Sequence, residues 1–184
     1  TVLTENGTDT ENAYAILYSD GDLIFQRGNA IDESKGDVLG TFTGFEESEE
    51  GYIRVRAPWL SGSNSAAIKR VFTKDIITPK SMANWFYSSS GIKNCVEMDL
   101  RKIDTKNVTN MIGLFENCNS LTTLDLSSWD TSNVTNMNNM FQNCYELTTL
   151  NINNWDTSSV THMSHMFNNC NELTGVAVSS WDTS

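Results

Sequence analysis

One spacing governs the second half of the chain. Trp129, Trp155 and Trp181 lie 26 residues apart, and cysteine and phenylalanine keep the same step. The repeated positions are Trp129, Trp155 and Trp181, then Cys118, Cys144 and Cys170, then Phe115, Phe141 and Phe167. Many independent positions that share one period indicate tandem structural units. One unit of this size is too small to bury an apolar face alone, so we expect successive units to stack.

Each unit divides into two parts with different apolar spacing. The segment LTTLDLSSW, 121–129, reads L-x-x-L-x-L-x-x-W, and its leucines alternate as in a β-strand. The segment VTNMNNMFQNC, 134–144, has apolar residues at i, i+3, i+6, i+7 and i+10, which predicts one face of a helix. Thr131 or Ser132 would cap that helix. The pattern therefore predicts a short strand and a short helix in each unit.

These parts predict an α/β leucine-rich-repeat solenoid over residues 67–184. The strand segment has the leucine-rich-repeat form, with tryptophan where asparagine or cysteine is usual. Stacked coils would place equivalent side chains about 4.8 Å apart, so the tryptophans, phenylalanines and cysteines would form structural ladders. Two degenerate coils come first: MANWF at 82–86 matches MNNMF at 137–141, and IKRVFTKDI aligns Ile76 with Trp129.

The segment before the repeats predicts a β-rich capping unit at 12–66. AYAILYSDGDLIFQRG, 13–28, predicts a hairpin with a type I′ turn at Asp20-Gly21. Residues 40–45 and 51–56 predict two further strands, and 57–66 predicts a loop. Residues 1–11 are expected to be frayed.

Three stretches of the sequence resemble one known family, the BspA-like leucine-rich-repeat surface proteins, and within it the bacterial branch with 26-residue repeats. The stretches are NAYAILYSDGDLIF, IKRVF and the tandem WDTSNVTNMNNMFQNCYELTTL. The resemblance implies export, attachment to the bacterial cell surface, and adhesion to host molecules or other cells. It implies no catalytic residues. The chain has no signal peptide and stops inside a unit, so we expect it to be a fragment of a longer protein.

Charge narrows the classes of partner. The net charge is -11, and no lysine or arginine follows Lys106. Nucleic acid and anionic membrane surfaces are therefore excluded as expected partners, since both require clustered basic residues. No apolar run reaches the roughly 18 residues of a membrane span, so we expect no membrane insertion. We expect a monomer with no cofactor, and no enzyme, because no nucleophile–base pair or phosphate-binding loop is present.

The polar positions of the strand segment are the candidate ligand-binding residues. They should point out of the sheet and form a surface of hydroxyl, amide and carboxylate groups. These positions are Thr122, Thr123, Asp125, Ser127, Thr148, Thr149, Asn151 and Asn153. The alternative is that this polar surface only keeps the protein soluble and binds no ligand.

Other features have two interpretations each. The Trp-Asp-Thr motif is either a sugar-binding aromatic or a core ladder with a turn, and its repetition favours the ladder. The cysteines are either disulfide-bonded or buried free thiols, and three equivalent positions favour free thiols. His162 and His165 are either metal ligands or surface substitutions, and the asparagines one repeat earlier favour the surface. Asp20, Asp22 and the acidic loop 46–50 leave Ca²⁺ binding open.

Two functions remain in competition. The first is a non-catalytic recognition or adhesion module, exposed on a bacterial surface, for an unidentified protein or glycan on host or neighbouring cells. The second is a structural spacer that presents another domain of a larger surface protein.

Overall fold

The computed structural model describes residues 12–47, 57–87, 92–179 and 181. Strands β1 (Ala13–Tyr18) and β2 (Asp22–Arg27) form an antiparallel hairpin, which confirms that prediction. Its turn differs from the predicted one. Gly21 has a φ of 99°, but Asp20 is not among the residues with positive φ, so the two-residue type I′ turn is wrong. Ser19 to Gly21 instead form a three-residue loop with glycine in its left-handed position.

Strand β3 (Val38–Thr43) pairs antiparallel with β1, which confirms the strand predicted near 40–45. The strand predicted at 51–56 and the frayed segment 1–11 lie outside the described residues. The loop predicted at 57–66 holds a 3-10 helix at Pro58–Leu60 and the start of the α-helix α1 (Asn64–Ala67). Two more 3-10 helices occur at Glu33–Lys35 and Phe45–Glu47.

The hairpin belongs to a five-stranded mixed sheet that continues into the following units. Strands β4 (Arg70–Thr73) and β5 (Glu97–Asp99) extend it, and the strand order is β3-β1-β2-β4-β5. The β2–β4 and β4–β5 pairs are both parallel. Consequently, the N-terminal hairpin and the first repeat units share one hydrogen-bonded sheet.

A second, two-stranded parallel sheet carries the 26-residue register. Strands β6 (Thr123–Asp125) and β7 (Thr149–Asn151) pair Leu124 with Leu150, and thus residues one period apart. Isolated parallel bridges join Asn110, Asn136 and His162 with the same step. The predicted alignment of Ile76 with Trp129 is wrong by one residue. Ile77, not Ile76, is buried and bridges Ile103, whereas Ile76 is 62% exposed.

The predicted α/β leucine-rich-repeat solenoid is wrong. The helix expected at 134–144 is absent, and α1, with 4 residues, is the one α-helix of the described chain. The segment consists of turns, in which Asn139 (φ 59°) and Asn143 (φ 61°) adopt left-handed backbone conformations. A right-handed helix admits no such residues. What the described residues form is a mixed sheet, a small parallel sheet and stacked turns.

The hydrogen bonds of these turns explain why the helix fails. Alternate N–H groups donate to carbonyls of the following unit, for example Phe115 N to Met140 O at 2.9 Å and Phe141 N to Met166 O at 2.9 Å. Such partners compete with the helical i−4 bond. The segment is also rich in asparagine, serine and threonine, which favour turns over helix interiors. Asparagine in addition tolerates the left-handed region better than most residues.

The apolar spacing nevertheless predicts the burial pattern correctly. Val134, Met137, Met140, Phe141 and Cys144 are all buried. One continuous core runs from the hairpin through the repeats. Phenylalanine rings stack along it, with centroid distances of 5.6 Å for Phe86–Phe115, 5.4 Å for Phe115–Phe141 and 5.6 Å for Phe141–Phe167. Within the part of the chain that is described, no helix is both long and apolar enough to cross a membrane.

Candidate functional site

The Trp-Asp-Thr motif forms a joint between units. Trp129 is 2% exposed, and its indole Nε1 donates to the carbonyl of Leu100 at 3.3 Å. Trp155 repeats the contact on Leu126 at 3.1 Å. A tryptophan this buried offers no face to a sugar ring. The motif's aromatic residue therefore packs in the core, where its N–H joins successive units.

The rest of the motif is occupied by hydrogen bonds within and between units. Asp130 Oδ1 accepts from the backbone N–H of Ser132 at 3.0 Å and from its hydroxyl at 2.6 Å. These bonds hold the pKa of Asp130 below its usual value. The buried Thr131 hydroxyl donates to Asp156 O at 2.9 Å, as Thr105 does to Asp130 O. These polar groups are therefore already engaged within the protein, which makes this side of each unit a poor ligand site.

The cysteines and histidines also have structural surroundings. All four cysteines are free thiols, and Cys118 and Cys144 are buried while Cys170 is half-buried. The thiols of Cys144 and Cys170 donate to Phe115 O and Phe141 O at 3.2 and 3.0 Å. His162 and His165 are exposed. In the described ranges no three His, Cys, Asp or Glu side chains are grouped as a metal site would require.

A row of side chains on the outside of the strands forms a more open surface. Alternate residues of β2, β4, β5, β6 and β7 point away from the core, and we call this surface the outer strand face. The register aligns Asp22, Arg70 and Glu97 in one row, and Ile24, Phe72 and Asp99 in the next. Beyond them, Thr123 lies beside Thr149, and Asp125 beside Asn151. The outer strand face comprises Asp22, Ile24, Arg70, Phe72, Glu97, Asp99, Thr123, Asp125, Thr149 and Asn151.

A depression of about 510 Å³ lies on this face over β5, β6 and β7. Four predicted residues line it, namely Thr123, Asp125, Thr149 and Asn151. Thr122, Ser127, Thr148 and Asn153 are outside its lining. Two of these are engaged elsewhere: the Thr148 hydroxyl donates to Thr122 O at 3.0 Å, and the Ser127 hydroxyl donates to Asp125 Oδ1 at 2.7 Å.

Charged residues that the sequence-based prediction missed complete the depression. Glu97, Asp99 and Arg101 line it. Arg101 binds Asp99 through two hydrogen bonds, Nε to Oδ1 at 2.8 Å and Nη2 to Oδ2 at 2.6 Å. This pairing lowers the pKa of Asp99. The three residues lie one period before Thr123, Asp125 and Ser127, so subtracting 26 from the predicted positions would have found them.

Asp125 is the carboxylate at the centre of the depression. Hydrogen bonds from the Ser127 hydroxyl and backbone N–H lower its pKa, and the positive charge of Arg101 adds to the effect. Asp125 therefore remains ionised well into the acid range. It forms no ion pair with any cation in the described ranges, and its hydrogen-bond donors, Ser127 and Asn151, are uncharged, so its negative charge can attract a ligand.

A second depression, of about 310 Å³, adjoins the first over β2 and β4. Ile24 and Phe72 line its floor, and Asp32 and Lys35 line the wall formed by the loop 29–37. Lys35 Nζ pairs with Asp22 Oδ2 at 2.5 Å, and Asp32 N donates to the Tyr18 hydroxyl at 3.0 Å. Both contacts fix the loop against the sheet.

Asp22 is unsuited to the Ca²⁺ site left open by the sequence. It is 1% exposed, and its two oxygens pair with Lys35 and Arg70, each at 2.5 Å. A buried carboxylate already neutralised by two cations has little electrostatic attraction left for a metal ion. Glu49 and Glu50 of the acidic loop at 46–50 lie outside the described residues.

The geometry defines a tandem-repeat protein whose units stack in parallel register beside an N-terminal hairpin. The chain belongs to the family described as "Mycoplasma protein of unknown function, DUF285", whose model matches residues 80–184. Neither the curated proteins nor the solved structures include a match. The resemblance seen in the sequence had a general part, a bacterial surface repeat protein, and this family fits that part. It supports neither the leucine-rich-repeat assignment nor a particular activity.

Proposed function

We propose that this chain is a non-catalytic recognition module of a bacterial surface protein, and that the outer strand face binds its ligand. The observation that supports this is the depression over β5, β6 and β7, in which the ionised Asp125 lies among Thr123, Thr149 and Asn151. Concave surfaces with a few convergent polar groups are the usual places for ligands. The Trp-Asp-Thr joint is an unsuitable alternative, because its groups are committed between units.

The test is a binding survey of the 184-residue chain with a matched pair of variants. The chain is probed against a panel of extracellular-matrix proteins and a glycan array. Asp125→Arg with Thr149→Arg blocks the depression, whereas Glu146→Arg with Glu172→Arg places the same bulky groups on exposed positions outside its lining. We expect a bound ligand to be lost in the first variant and retained in the second. Equal loss in both would contradict the assignment to this face.

A structural spacer is the second candidate, and one observation favours it. The main apolar cluster runs from the hairpin to the last described unit, and phenylalanine rings stack along it from Phe86 to Phe167. A continuous core resists bending between units, as a spacer requires. Consistent absence of binding in both surveys would favour the spacer over the recognition module.

A further inference from the structure

The two depressions on the outer strand face form one trough, because Asp99 lines both. The trough runs across β2, β4 and β5 of one sheet and β6 and β7 of the other. Four intervals of roughly 4.8 Å, the spacing of hydrogen-bonded strands, give a length of about 19 Å. An extended peptide rises about 3.3 Å per residue, so about six residues would span it. The trough therefore has the length of a short linear segment.

The end of the trough beside loop 29–37 offers an apolar floor. Ile24 and the half-buried Phe72 lie there side by side, in register on β2 and β4. Two lysines line this end, Lys74 and Lys35, and Lys35 is already paired with Asp22. An apolar side chain that covered the Phe72 ring would gain from the removal of that ring from water.

The opposite end of the trough is acidic. Glu97, Asp99 and Asp125 line it, against one cation, Arg101. Arg101 is held by Asp99 in a two-bond pair, which leaves Glu97 and Asp125 without an ion-pair partner in the described residues. Two carboxylates that form no ion pair in the described residues, beside an apolar floor, are complementary to a chain that carries both basic and apolar side chains.

We infer that the trough binds an extended basic peptide segment, with lysine or arginine at Glu97 and Asp125 and an apolar side chain on Phe72. The inference rests on the proposed function and names its class of partner. A neutral glycan would leave both carboxylates unpaired. Acidic polymers would be repelled by the same carboxylates.

The experiment measures fluorescence anisotropy of a labelled hexapeptide of alternating lysine and leucine, titrated with the 184-residue chain. Matched peptides carry glutamate or serine in place of every lysine, and cellohexaose is added as a competitor. The test variant is Glu97→Lys with Asp125→Lys. The control is Glu146→Lys with Glu172→Lys, which changes the net charge equally on exposed positions outside the trough. Circular dichroism melting verifies that each variant folds.

We expect the lysine peptide to bind at least about tenfold more tightly than the glutamate peptide. Its affinity should fall about tenfold in the trough variant, stay within about twofold in the control, and weaken with salt, since exposed charges are screened. Equal affinity for lysine and glutamate peptides, equal loss in both variants, or no binding of the lysine peptide would overturn the inference. Displacement by cellohexaose would also overturn it, but would leave the proposed recognition function standing.

A Phe72→Ala variant tests the apolar floor separately. If it folds, the lysine–leucine peptide should lose several-fold in affinity, while a peptide of lysine and glycine, already weaker, should be unaffected. If it does not fold, the comparison of leucine with glycine peptides on the wild-type chain gives the same information. Equal binding of those two peptides would refute the apolar subsite.

Discussion

Replacing Asn139 with glycine or with alanine distinguishes a backbone of stacked turns from a helix in this segment. Asn139 has a φ of 59° and lies in the middle of the segment whose apolar spacing predicted a helix. In a helix interior, alanine is more stabilising than glycine by about 1 kcal/mol. In the left-handed region, a side chain with a Cβ costs roughly 1–2 kcal/mol, which glycine avoids. The two backbone conformations therefore predict opposite orders of stability.

The magnitude follows from these two terms. Glycine loses more backbone entropy on folding, at a cost of about 0.5–1 kcal/mol relative to alanine. Subtracting this from the left-handed cost leaves Asn139→Gly more stable than Asn139→Ala by about 0–1.5 kcal/mol, and the midpoints of the two ranges give about 0.75 kcal/mol. Both variants lose the same side-chain hydrogen bond to Glu116, so that bond cancels in the comparison.

The assay is urea denaturation at neutral pH, with unfolding followed by tryptophan fluorescence and circular dichroism. The control is the same pair of substitutions at Thr135, which is exposed and is not among the residues with positive φ. There glycine should be the less stable variant, by about 0.5–1 kcal/mol. An alanine variant at position 139 that equals or exceeds the glycine variant in stability would refute the left-handed turn.

Three further predictions address the core, acid stability and the thiols. Phe141→Ala should lower the free energy of unfolding by about 3–5 kcal/mol, since Phe141 is fully buried and stacks on three rings. A loss below about 1 kcal/mol in urea denaturation would contradict the stacked core. The hydrogen bonds that lower the pKa of Asp130 stabilise the fold above about pH 4, and this stabilisation is lost as pH falls through the folded pKa. Asp130→Ala should therefore cost more stability at pH 7 than at pH 2, and an equal cost at both pH values would contradict the reasoning. Burial raises the pKa of Cys95 to about 12 and that of Cys118 well above its usual value, so neither thiol should react with Ellman's reagent in the folded chain. After denaturation all four thiols should react, and a count below four would contradict free cysteines.

The period of the repeat could be predicted in detail because stacking acts on every unit alike. Phe115, Phe141 and Phe167 stack at one-period intervals, and the indoles of Trp129 and Trp155 each donate to a carbonyl of the unit before. These positions recur because each must cover its counterpart in the neighbouring unit. The hairpin β1–β2 was predictable for a similar reason, since alternating apolar residues and a glycine turn are local signals.

The candidate site could be predicted only in part. Thr123, Asp125, Thr149 and Asn151 were found because alternate strand residues point away from the core. Phe72 was missed because the unit that carries it has diverged from the repeat, whereas Arg101 lies one period before Ser127 and could have been found. The wall from loop 29–37 could not be foreseen, because it depends on Lys35 meeting Asp22, which is buried in another strand.

The sequence by itself determined which side chains are buried and at what interval. Hydrophobic spacing is a property of the chain alone, and Val134, Met137 and Phe141 have the burial it predicted. Only the tertiary structure decided the backbone that places them there. In the segment 134–144 the N–H groups find partners in the next unit, and left-handed Asn139 and Asn143 direct the chain towards them. Apolar residues spaced by three or four fit a helix and a run of tight turns equally well, and the neighbouring unit determines which of the two forms.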